Sequence, residues 1–419
     1  MTRQHLTLAL CVAGIFGCVD RSAPTAFDPL ASEAVQGGAP FFDHFVAMGT
    51  SISMGNVSSG IVSISQQESW VAQLSRRAGH PMTLPLIASP GCPAPFATPL
   101  VNFKRSSGES ITLPSDQLQC GSLMPDIFLP AQNVAISGAT TGDALATTPQ
   151  KKKDLYGQRL YALVLPPNTT QVGAMRMQQP TFVSVEFGAN EVLGAQSGVA
   201  IPGATLVPFA VWAPQFHALV DTVAMFAKKG LVVGLVHDVG DFPGMRRGDE
   251  IWRDRATLLT VFNVAVNADC MNSVNLMAVN FKVTATVGAG LINKQNGLPP
   301  VPLSCADGGF GAVDYILTPS EASVVNGLMA QMNAEVINTA VQQGWAHFEL
   351  EALYGRPNLK ARYSAFEQMM SAHPYGALIS NDGIHPSPAG YKILADAAAE
   401  ALRATYRLNI PSSPAVAVK

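Results

Sequence analysis

Short apolar runs alternate with longer segments of helical periodicity from residue 43 onward. Such alternation is typical of a parallel sheet that is covered by helices on both faces. The pattern predicts strands at 44–48, 133–136, 181–186, 231–237 and 347–351, and helices at about 68–78, 207–229, 320–343 and 388–405. The helix at 320–343 has the clearest boundaries, because Thr318, Pro319 and Glu321 form a typical start and Gly344 a typical end.

Two stretches break this alternation. Residues 81–130 are rich in Pro, Gly and Ser, and residues 239–312 mix loop signals with room for one or two extra strands. We interpret both as insertions in a single domain that spans about residues 41–410, since no repeat and no second long apolar segment is visible.

The first residues have the layout of an export signal. Arg3 precedes an apolar run at 6–16 that is too short to span a bilayer, and Cys18 follows Gly17. The end of the run, 15–18, resembles a bacterial lipobox, so we expect a lipoprotein signal at 1–17, lipidation at Cys18 and a tether at 18–40. A plain secreted protein and an uncleaved anchor are the alternatives. Val19 favours the outer membrane or cell surface over inner-membrane retention, with a periplasmic location still open.

Four cysteines follow the leader, and each insertion contains two of them. Four cysteines allow three pairings, and the pairs nearest in sequence are Cys92 with Cys120 and Cys270 with Cys305. In an oxidising compartment we expect these two disulfides. A zinc site made of all four is the alternative, which the spacing disfavours because no two of them lie two to four residues apart.

Composition excludes several classes of protein. Of the 419 residues, 48% are hydrophobic and 13% are charged, which is unlike a disordered chain or a coiled coil. A formal net charge of −3 offers no basic surface for nucleic acid or anionic lipid. We therefore expect no nucleic-acid partner, and contact with a membrane only through the N-terminal lipid.

Four short blocks contain the residue types of an active site. Ser51 follows Gly49 and Thr50 after the first predicted strand. Gly138 follows the second predicted strand, and Asn190 follows the third. Asp382 and His385 lie three residues apart, just before the last predicted helix. The carboxyl ends of parallel strands meet at one edge of a sheet, which is where open α/β folds bind ligands. Each block alone is a weak signal, because a serine beside glycine is more often a helix cap.

In this order the four blocks resemble the GDSL or SGNH hydrolase superfamily. The resemblance covers about residues 43–406, outside the two insertions, and implies a three-layer α/β/α sandwich of flavodoxin-like type with a mostly parallel sheet. It also implies a nucleophile at Ser51, a general base and acid at His385, and an orienting carboxylate at Asp382. The backbone amides of Ser51 and Gly138 and the side-chain amide of Asn190 are the implied oxyanion hole.

Two positions depart from the family pattern. Thr50 replaces the usual aspartate before the serine, and Glu191 follows Asn190 where aspartate is commoner. Neither change removes a catalytic atom, so we expect catalysis to be retained.

Other polar residues have simpler interpretations. Ser53 is a weak alternative nucleophile, since the family pattern places the reactive serine directly after Gly-Xaa. His237 and Asp238 more simply end a strand than contact a substrate. The acids at 241, 249, 250 and 254 lack the calcium-hand pattern and fit a solvated loop.

These observations predict a carboxylic ester hydrolase that works through an acyl-enzyme and needs no cofactor or metal. The substrate is expected to be a small-molecule or lipid ester, because apolar residues at 84–87, with Phe96 and Leu100, are expected to form an acyl pocket. A carbohydrate O-acetyl esterase is the alternative activity. A binding lipoprotein that keeps the fold without turnover is the alternative from another class.

Overall fold

The computed structural model describes residues 39–412. The signal at 1–17, Cys18 and nearly all of the tether lie outside the described residues. A four-stranded parallel sheet forms the centre, in the order β1-β2-β3-β9. The described residues contain nine strands, which are Phe45–Met48 (β1), Phe182–Glu186 (β2), Lys229–Gly234 (β3), Met245–Arg247 (β4), Val264–Val266 (β5), Leu276–Ala278 (β6), Val301–Leu303 (β7), Ile316–Leu317 (β8) and Ala346–Glu349 (β9).

Helices cover both faces of this sheet. The sixteen α-helices of the described chain are Ala39–Phe42 (α1), Ser51–Met54 (α2), Ser63–Gln67 (α3), Trp70–Arg77 (α4), Thr141–Ala146 (α5), Leu155–Ala162 (α6), Gln171–Met177 (α7), Ala189–Val192 (α8), Phe209–Phe226 (α9), Gly248–Arg253 (α10), Arg255–Phe262 (α11), Lys282–Gln295 (α12), Pro319–Gln343 (α13), Glu351–Tyr354 (α14), Ala365–Met370 (α15) and Pro388–Tyr406 (α16). Helices α4 and α16 pack together as one layer, while α9 packs on α5, α7 and α13 in the other. The predicted three-layer α/β/α fold is confirmed.

The strands of the central sheet are apolar because both of their faces are covered. Every residue of β1 and β2 is buried, including Phe45 and Phe182, whose rings pack against each other with centroids 4.8 Å apart. Such continuous burial explains why these strands form apolar runs without alternation. Across residues 39–412, no helix combines the length and apolarity that a membrane crossing requires.

The strand that we predicted at 133–136 is not a regular strand. This segment runs beside β1 and bonds to it, with Val134 N donating to Ala47 O at 2.9 Å, but the ladder is reduced to one isolated bridge at Asn133. Ile136 N also donates to Gly49 O, at 3.0 Å. The bond that would continue the ladder between these two is absent, because Gly49 N donates to the side chain of Gln171 at 3.4 Å instead. A side chain from a distant helix thus interrupts the backbone pairing.

The predicted strand at 231–237 is shorter than expected for a related reason. Strand β3 ends at Gly234, and the next amide, Leu235 N, donates to the side chain of Asn333 on α13 at 2.7 Å. A helix side chain thus ends the ladder and releases residues 235–237 into the loop above the sheet.

The two predicted disulfides, Cys92–Cys120 and Cys270–Cys305, are present, so these cysteines are not available as thiolate ligands of zinc. Residues 81–130 contain only 3₁₀ turns, at Leu100–Asn102 and Ser115–Gln117. Residues 239–312 are more regular than expected, since they contain β4 to β7 and the helices α10 to α12. In this region β4 pairs with β6, and β5 pairs in parallel with β7.

Candidate active site

The structure brings Ser51, His385 and Asp382 together. Ser51 is the first residue of α2, directly after β1, and its Oγ lies 2.9 Å from His385 Nε2. The other ring nitrogen of His385, Nδ1, lies 2.7 Å from Asp382 Oδ2. The three side chains thus form one continuous hydrogen-bonded chain across 334 residues of sequence.

Asp382 is enclosed by hydrogen-bond donors. The residue is 1% exposed, and its carboxylate accepts from the backbone amides of Ser59, Ile384 and His385. Burial alone would raise its pKa, but the charge of protonated His385 and these hydrogen bonds lower the pKa to about 2. Asp382 is therefore ionised at neutral pH, and the amides hold it in a fixed orientation toward the imidazole.

The turn between Asp382 and His385 depends on glycine. Gly383 has φ of +75°, and a Cβ added there would lie 2.8 Å from the Cα of Gly244. The two backbones also bond, since Gly244 N donates to Gly383 O at 2.8 Å. A side chain at Gly383 would therefore strain the backbone and displace a neighbouring loop.

A buried carboxylate lies beneath the serine turn. Glu186, the last residue of β2, is 1% exposed and accepts from Thr50 N at 2.9 Å, Thr50 Oγ1 at 2.8 Å and Ser53 N at 3.2 Å. A Cβ at Gly49 would lie 2.9 Å from Glu186 Oε2, so the glycine leaves room for this carboxylate. Thr50 stands where the family pattern has aspartate, and its hydroxyl thus donates a hydrogen bond to an acid on the next strand.

Sequence reasoning did not assign a role to Glu186. Burial raises its pKa, although the hydrogen bonds from Thr50 and Ser53 act in the opposite direction. The available signal was its position: Glu186 directly ends a mostly apolar run, and an acid is costly to bury unless hydrogen-bond donors surround it.

The expected oxyanion donors lie in different local settings. The Ser51 amide is in the first turn of α2, where helical amides have no acceptor of their own. One side-chain N–H of Asn190 donates to Ala139 O at 2.7 Å, which leaves the second for a ligand. Gly138 is exposed with φ of +77°, and its amide has no hydrogen-bond acceptor within residues 39–412.

Glu191, the other departure from the family pattern, joins two of the four blocks. It is 1% exposed, and its Oε1 accepts from Thr141 N and Thr141 Oγ1, both at 2.7 Å. Burial raises the pKa of Glu191, against the effect of these hydrogen bonds. The carboxylate fixes the segment after Gly138 relative to Asn190, so two predicted oxyanion donors are held by one side chain.

An apolar cavity opens beside Ser51. Together with the space that is open to solvent its volume is about 830 Å³, and Ser51, Asn190 and His385 lie on its wall. The rest of the wall is almost entirely apolar and comes from α2, α8, α13 and the loops that follow β3; it includes Ile52, Val192, Leu235, Val239, Phe242, Met245, Val325 and Met329. We call this the acyl cavity.

The expectation that residues 84–87 form the pocket at the serine is wrong. Leu84 and Ile87 are 8% and 0% exposed and belong to the hydrophobic core. Phe96 and Leu100 line a different cavity nearby. The acyl cavity takes its walls partly from the other insertion, through Val239, Phe242 and Met245, and no local pattern in the sequence marks those residues.

The alternative site residues have other partners. Ser53 is fully buried, and its Oγ accepts from Trp70 Nε1 at 3.2 Å. His237 lies 2.9 Å from Glu349, away from Ser51. In the acidic loop, Asp249 pairs with Arg247 and Arg253, at 3.1 and 3.2 Å.

The sequence profile described as GDSL-like Lipase/Acylhydrolase matches residues 45–398. The chain belongs to this family. The match spans β1 through most of α16 and includes all four blocks. As a GDSL-like acylhydrolase, the protein is a member of a family of ester-hydrolysing enzymes.

Two solved structures illustrate how far the chain diverges from known relatives. An acetylxylan esterase from Geobacillus stearothermophilus is 14% identical, with a TM-score of 0.36 over 88% of this chain and 96% of that chain. A putative GDSL-like lipase from Parabacteroides merdae is 10% identical, with a TM-score of 0.34 over 85% and 94%. No curated protein matches the sequence significantly. Likeness at these scores carries no conclusion about substrate, and the family assignment rests on the sequence profile.

Proposed function

We propose that this acylhydrolase cleaves carboxylic esters with Ser51 as nucleophile, His385 as proton carrier and Asp382 as the group that orients the imidazole. The observation that carries the proposal is the hydrogen-bonded chain from Ser51 through His385 to Asp382, at 2.9 and 2.7 Å. Both distances are within the range that proton transfer requires.

The reaction has two halves. Ser51 Oγ attacks the carbonyl carbon and gives its proton to His385 Nε2; the bond from carbon to the alcohol oxygen then breaks, and His385 returns the proton to that oxygen. Water next attacks the acyl carbon and gives a proton to His385; the bond from carbon to Ser51 Oγ then breaks, His385 returns the proton to Ser51 Oγ, and the carboxylic acid leaves. In this proposal the Ser51 and Gly138 amides and the Asn190 side chain stabilise the negative oxygen in both halves.

The acyl cavity supports an apolar acyl group as the preferred substrate. Its wall beside Ser51 carries few polar groups, so a hydrocarbon chain loses contact with water there without leaving polar atoms unpaired. We expect butanoyl to octanoyl esters to have a higher kcat/KM than acetyl esters of the same alcohol. Efficient hydrolysis of acetylated polysaccharide with no turnover of octanoyl esters would instead identify a carbohydrate O-acetyl esterase.

Covalent labelling tests the proposed nucleophile. Purified residues 19–419 are treated with a fluorophosphonate, and the adduct is located by peptide mass. We expect labelling of Ser51, loss of labelling in Ser51→Ala, and retained labelling in Ser53→Ala, which removes a hydroxyl two residues away that is fully buried. A folded protein that takes no label would point to the non-catalytic binding lipoprotein.

We also propose that the protein is exported and anchored through a lipid on Cys18, with the domain outside the cytoplasm. The two disulfides support an oxidising compartment. Metabolic labelling with an alkyne fatty acid in a bacterial host should mark the full chain but not Cys18→Ala. A Cys18→Ala chain that retained the fatty acid would contradict the anchor.

A further inference from the structure

A second cavity lies against the other side of the candidate triad. Together with the space that is open to solvent its volume is about 930 Å³. It is lined by Ser59, whose amide donates to Asp382, and by Asn381, the residue before Asp382. Asn280 lines both this cavity and the acyl cavity, so the two spaces adjoin at that residue. We call the second space the alcohol cavity.

The alcohol cavity is built almost entirely by the two insertions. Nine of its twelve lining residues lie inside the disulfide loops, five between Cys92 and Cys120 and four between Cys270 and Cys305. The two loops contact each other. Gly288 of the second loop packs closely against the Phe103 ring of the first, so that a Cβ on Gly288 would lie 3.2 Å from that ring. This cavity is therefore a separate feature of the insertions and not part of the central sheet.

One wall of this cavity is held by a buried arginine. Arg105 is 7% exposed and donates to Ser59 O at 3.1 Å and Ala94 O at 2.7 Å. Its guanidinium also lies 4.8 Å from the centroid of the Phe96 ring. The arginine ties the first insertion to the segment that contacts Asp382, so the cavity wall and the candidate triad are fixed relative to each other.

The lining chemistry indicates what the cavity binds. Phe96, Phe103, Phe281 and Tyr315 supply aromatic surface, while hydroxyl and amide side chains supply hydrogen-bond partners. None of the twelve lining residues is charged, so a phosphorylated or otherwise ionic alcohol would find no counter-ion there. Aromatic surface mixed with neutral polar groups suits a ring that carries hydroxyl groups.

Asn280 is well placed to contact such a substrate. It is half-buried at the junction of the two cavities, and its side-chain amide makes no hydrogen bond within residues 39–412. An ester bound across both cavities would pass beside this amide. The leaving oxygen must lie next to His385, which protonates it, and the alcohol cavity flanks the segment that carries His385.

We infer that the alcohol cavity binds the alcohol part of the ester, a neutral ring-bearing alcohol with free hydroxyl groups, and that Asn280 positions it by hydrogen bonding. This inference rests on the proposed function of Ser51. Sugars and hydroxylated aromatic alcohols share this chemistry, and the substrates below distinguish them.

The test compares butanoate esters of four primary alcohols, so that the acyl group and the type of leaving group stay constant. The alcohols are ethanol, benzyl alcohol, 4-hydroxybenzyl alcohol and the 6-hydroxyl of glucose. We expect kcat/KM to be at least about tenfold higher for one of the two hydroxylated rings than for ethanol. The glucose ester should lead if the natural alcohol is a sugar, and the 4-hydroxybenzyl ester if it is aromatic.

Three variants locate the effect. Ala285→Trp, at an exposed position on α12 that lines the alcohol cavity, should remove most of this preference, measured as the ratio of kcat/KM for the hydroxylated esters to kcat/KM for ethyl butanoate. Ala289→Trp is the matched control, because Ala289 is exposed on the same helix but does not line the cavity. Asn280→Ala should raise KM for the hydroxylated esters about 5- to 10-fold, with kcat and the benzyl ester little changed.

Fluorophosphonate labelling of Ser51 separates the two possible failures. If the wild-type protein and all variants label at the same rate but show no preference among the four alcohols, the alcohol cavity is refuted and the proposed nucleophile stands. If Ala285→Trp and Ala289→Trp change the preference equally, the cavity is again refuted. If folded wild-type protein takes no label, the proposed function itself fails.

Discussion

The central sheet and the two disulfide-closed insertions contribute different parts of the site. The sheet places Ser51 and Asn190 at the ends of adjacent strands, each within a few residues of a regular element. The insertions instead supply cavity walls, through residues such as Met245 and Phe103 that are distant from Ser51 in sequence. The two regions should therefore respond differently to substitution. Variants beside Ser51 at the sheet should change the rate for all esters alike, whereas variants in the insertions should change which esters are preferred.

The largest effect is expected for Asp382→Asn. The amide that replaces the carboxylate no longer stabilises a positively charged His385, and it favours the wrong imidazole tautomer. By analogy with triad enzymes, kcat should fall by about 10⁴-fold. Steady-state kinetics with the four butanoate esters checks this, and the fall should be the same for each. A fall that depended on the alcohol would contradict the division between sheet and insertions.

Removal of the disulfide in the second insertion should mainly reduce stability. Cys270→Ala with Cys305→Ala opens a loop of 35 residues and should lower the free energy of unfolding by about 3 to 4 kcal/mol in the chain-entropy estimate. Urea unfolding measures this. Below the unfolding transition, the rate of Ser51 labelling should be retained while the preference among alcohols weakens. A labelling rate that fell with the preference would show that the insertion supports the nucleophile directly.

Glu186→Gln should slow catalysis without changing the choice of ester. The two carboxylate oxygens accept three hydrogen bonds from Thr50 and Ser53, whereas glutamine keeps one oxygen for the two backbone amides and turns its NH₂ toward Thr50 Oγ1, which must then accept a hydrogen bond and no longer donates one. The Ser51 turn should shift, and kcat should fall roughly 10- to 100-fold.

Glu191→Gln is the matched control for this variant. It also changes a buried glutamate, but Glu191 Oε2 has no hydrogen-bond partner among the described residues, so glutamine can place its NH₂ there. Equal losses of kcat in the two variants would show that replacing either buried glutamate slows catalysis, and would contradict a specific role for Glu186.

The smallest expected effect is the pH dependence of the free energy of unfolding that comes from Asp382. The pKa of Asp382 falls from its ordinary 3.8 to about 2 in the folded protein, so ionisation stabilises the fold by about 2 kcal/mol. This contribution is present above about pH 4 and is lost as the pH falls through about 2. The difference in unfolding free energy between wild type and Asp382→Asn should therefore shrink across that window. A difference that stayed constant from pH 5 to pH 2 would contradict the lowered pKa.

The sequence predicted the sheet better than the insertions for a physical reason. Strands such as Phe182–Glu186 are buried on both faces, so their apolar runs are visible without knowledge of their neighbours. The segment at 133–136 is not a regular strand because the Gln171 side chain, distant in sequence, takes the Gly49 amide that would continue the pairing, and an apolar pattern does not reveal this. The same limit applies to β3, which ends where Asn333 from a distant helix takes the next amide.

Site residues at strand ends were predictable, whereas the cavity walls were not. Ser51 and Asn190 follow strands directly, and Asp382 and His385 share one tight turn, so local sequence determines their placement. Leu84 and Ile87 were assigned to a pocket because they are apolar and lie in an insertion, but they fill the core instead. Whether an apolar loop residue faces a cavity or the core depends on long-range packing of the insertions.

The second insertion meets the turn between Asp382 and His385 where Gly244 lies against Gly383. The contact is backbone on backbone, with one hydrogen bond; a Cβ has no space on Gly383 and would lie 3.1 Å from Gly383 O on Gly244. A loop grafted from another protein in place of residues 239–312 can therefore bring new walls and a new substrate range. It should keep a glycine at the Gly244 position, because a side chain there would press on the turn that holds Asp382 and His385.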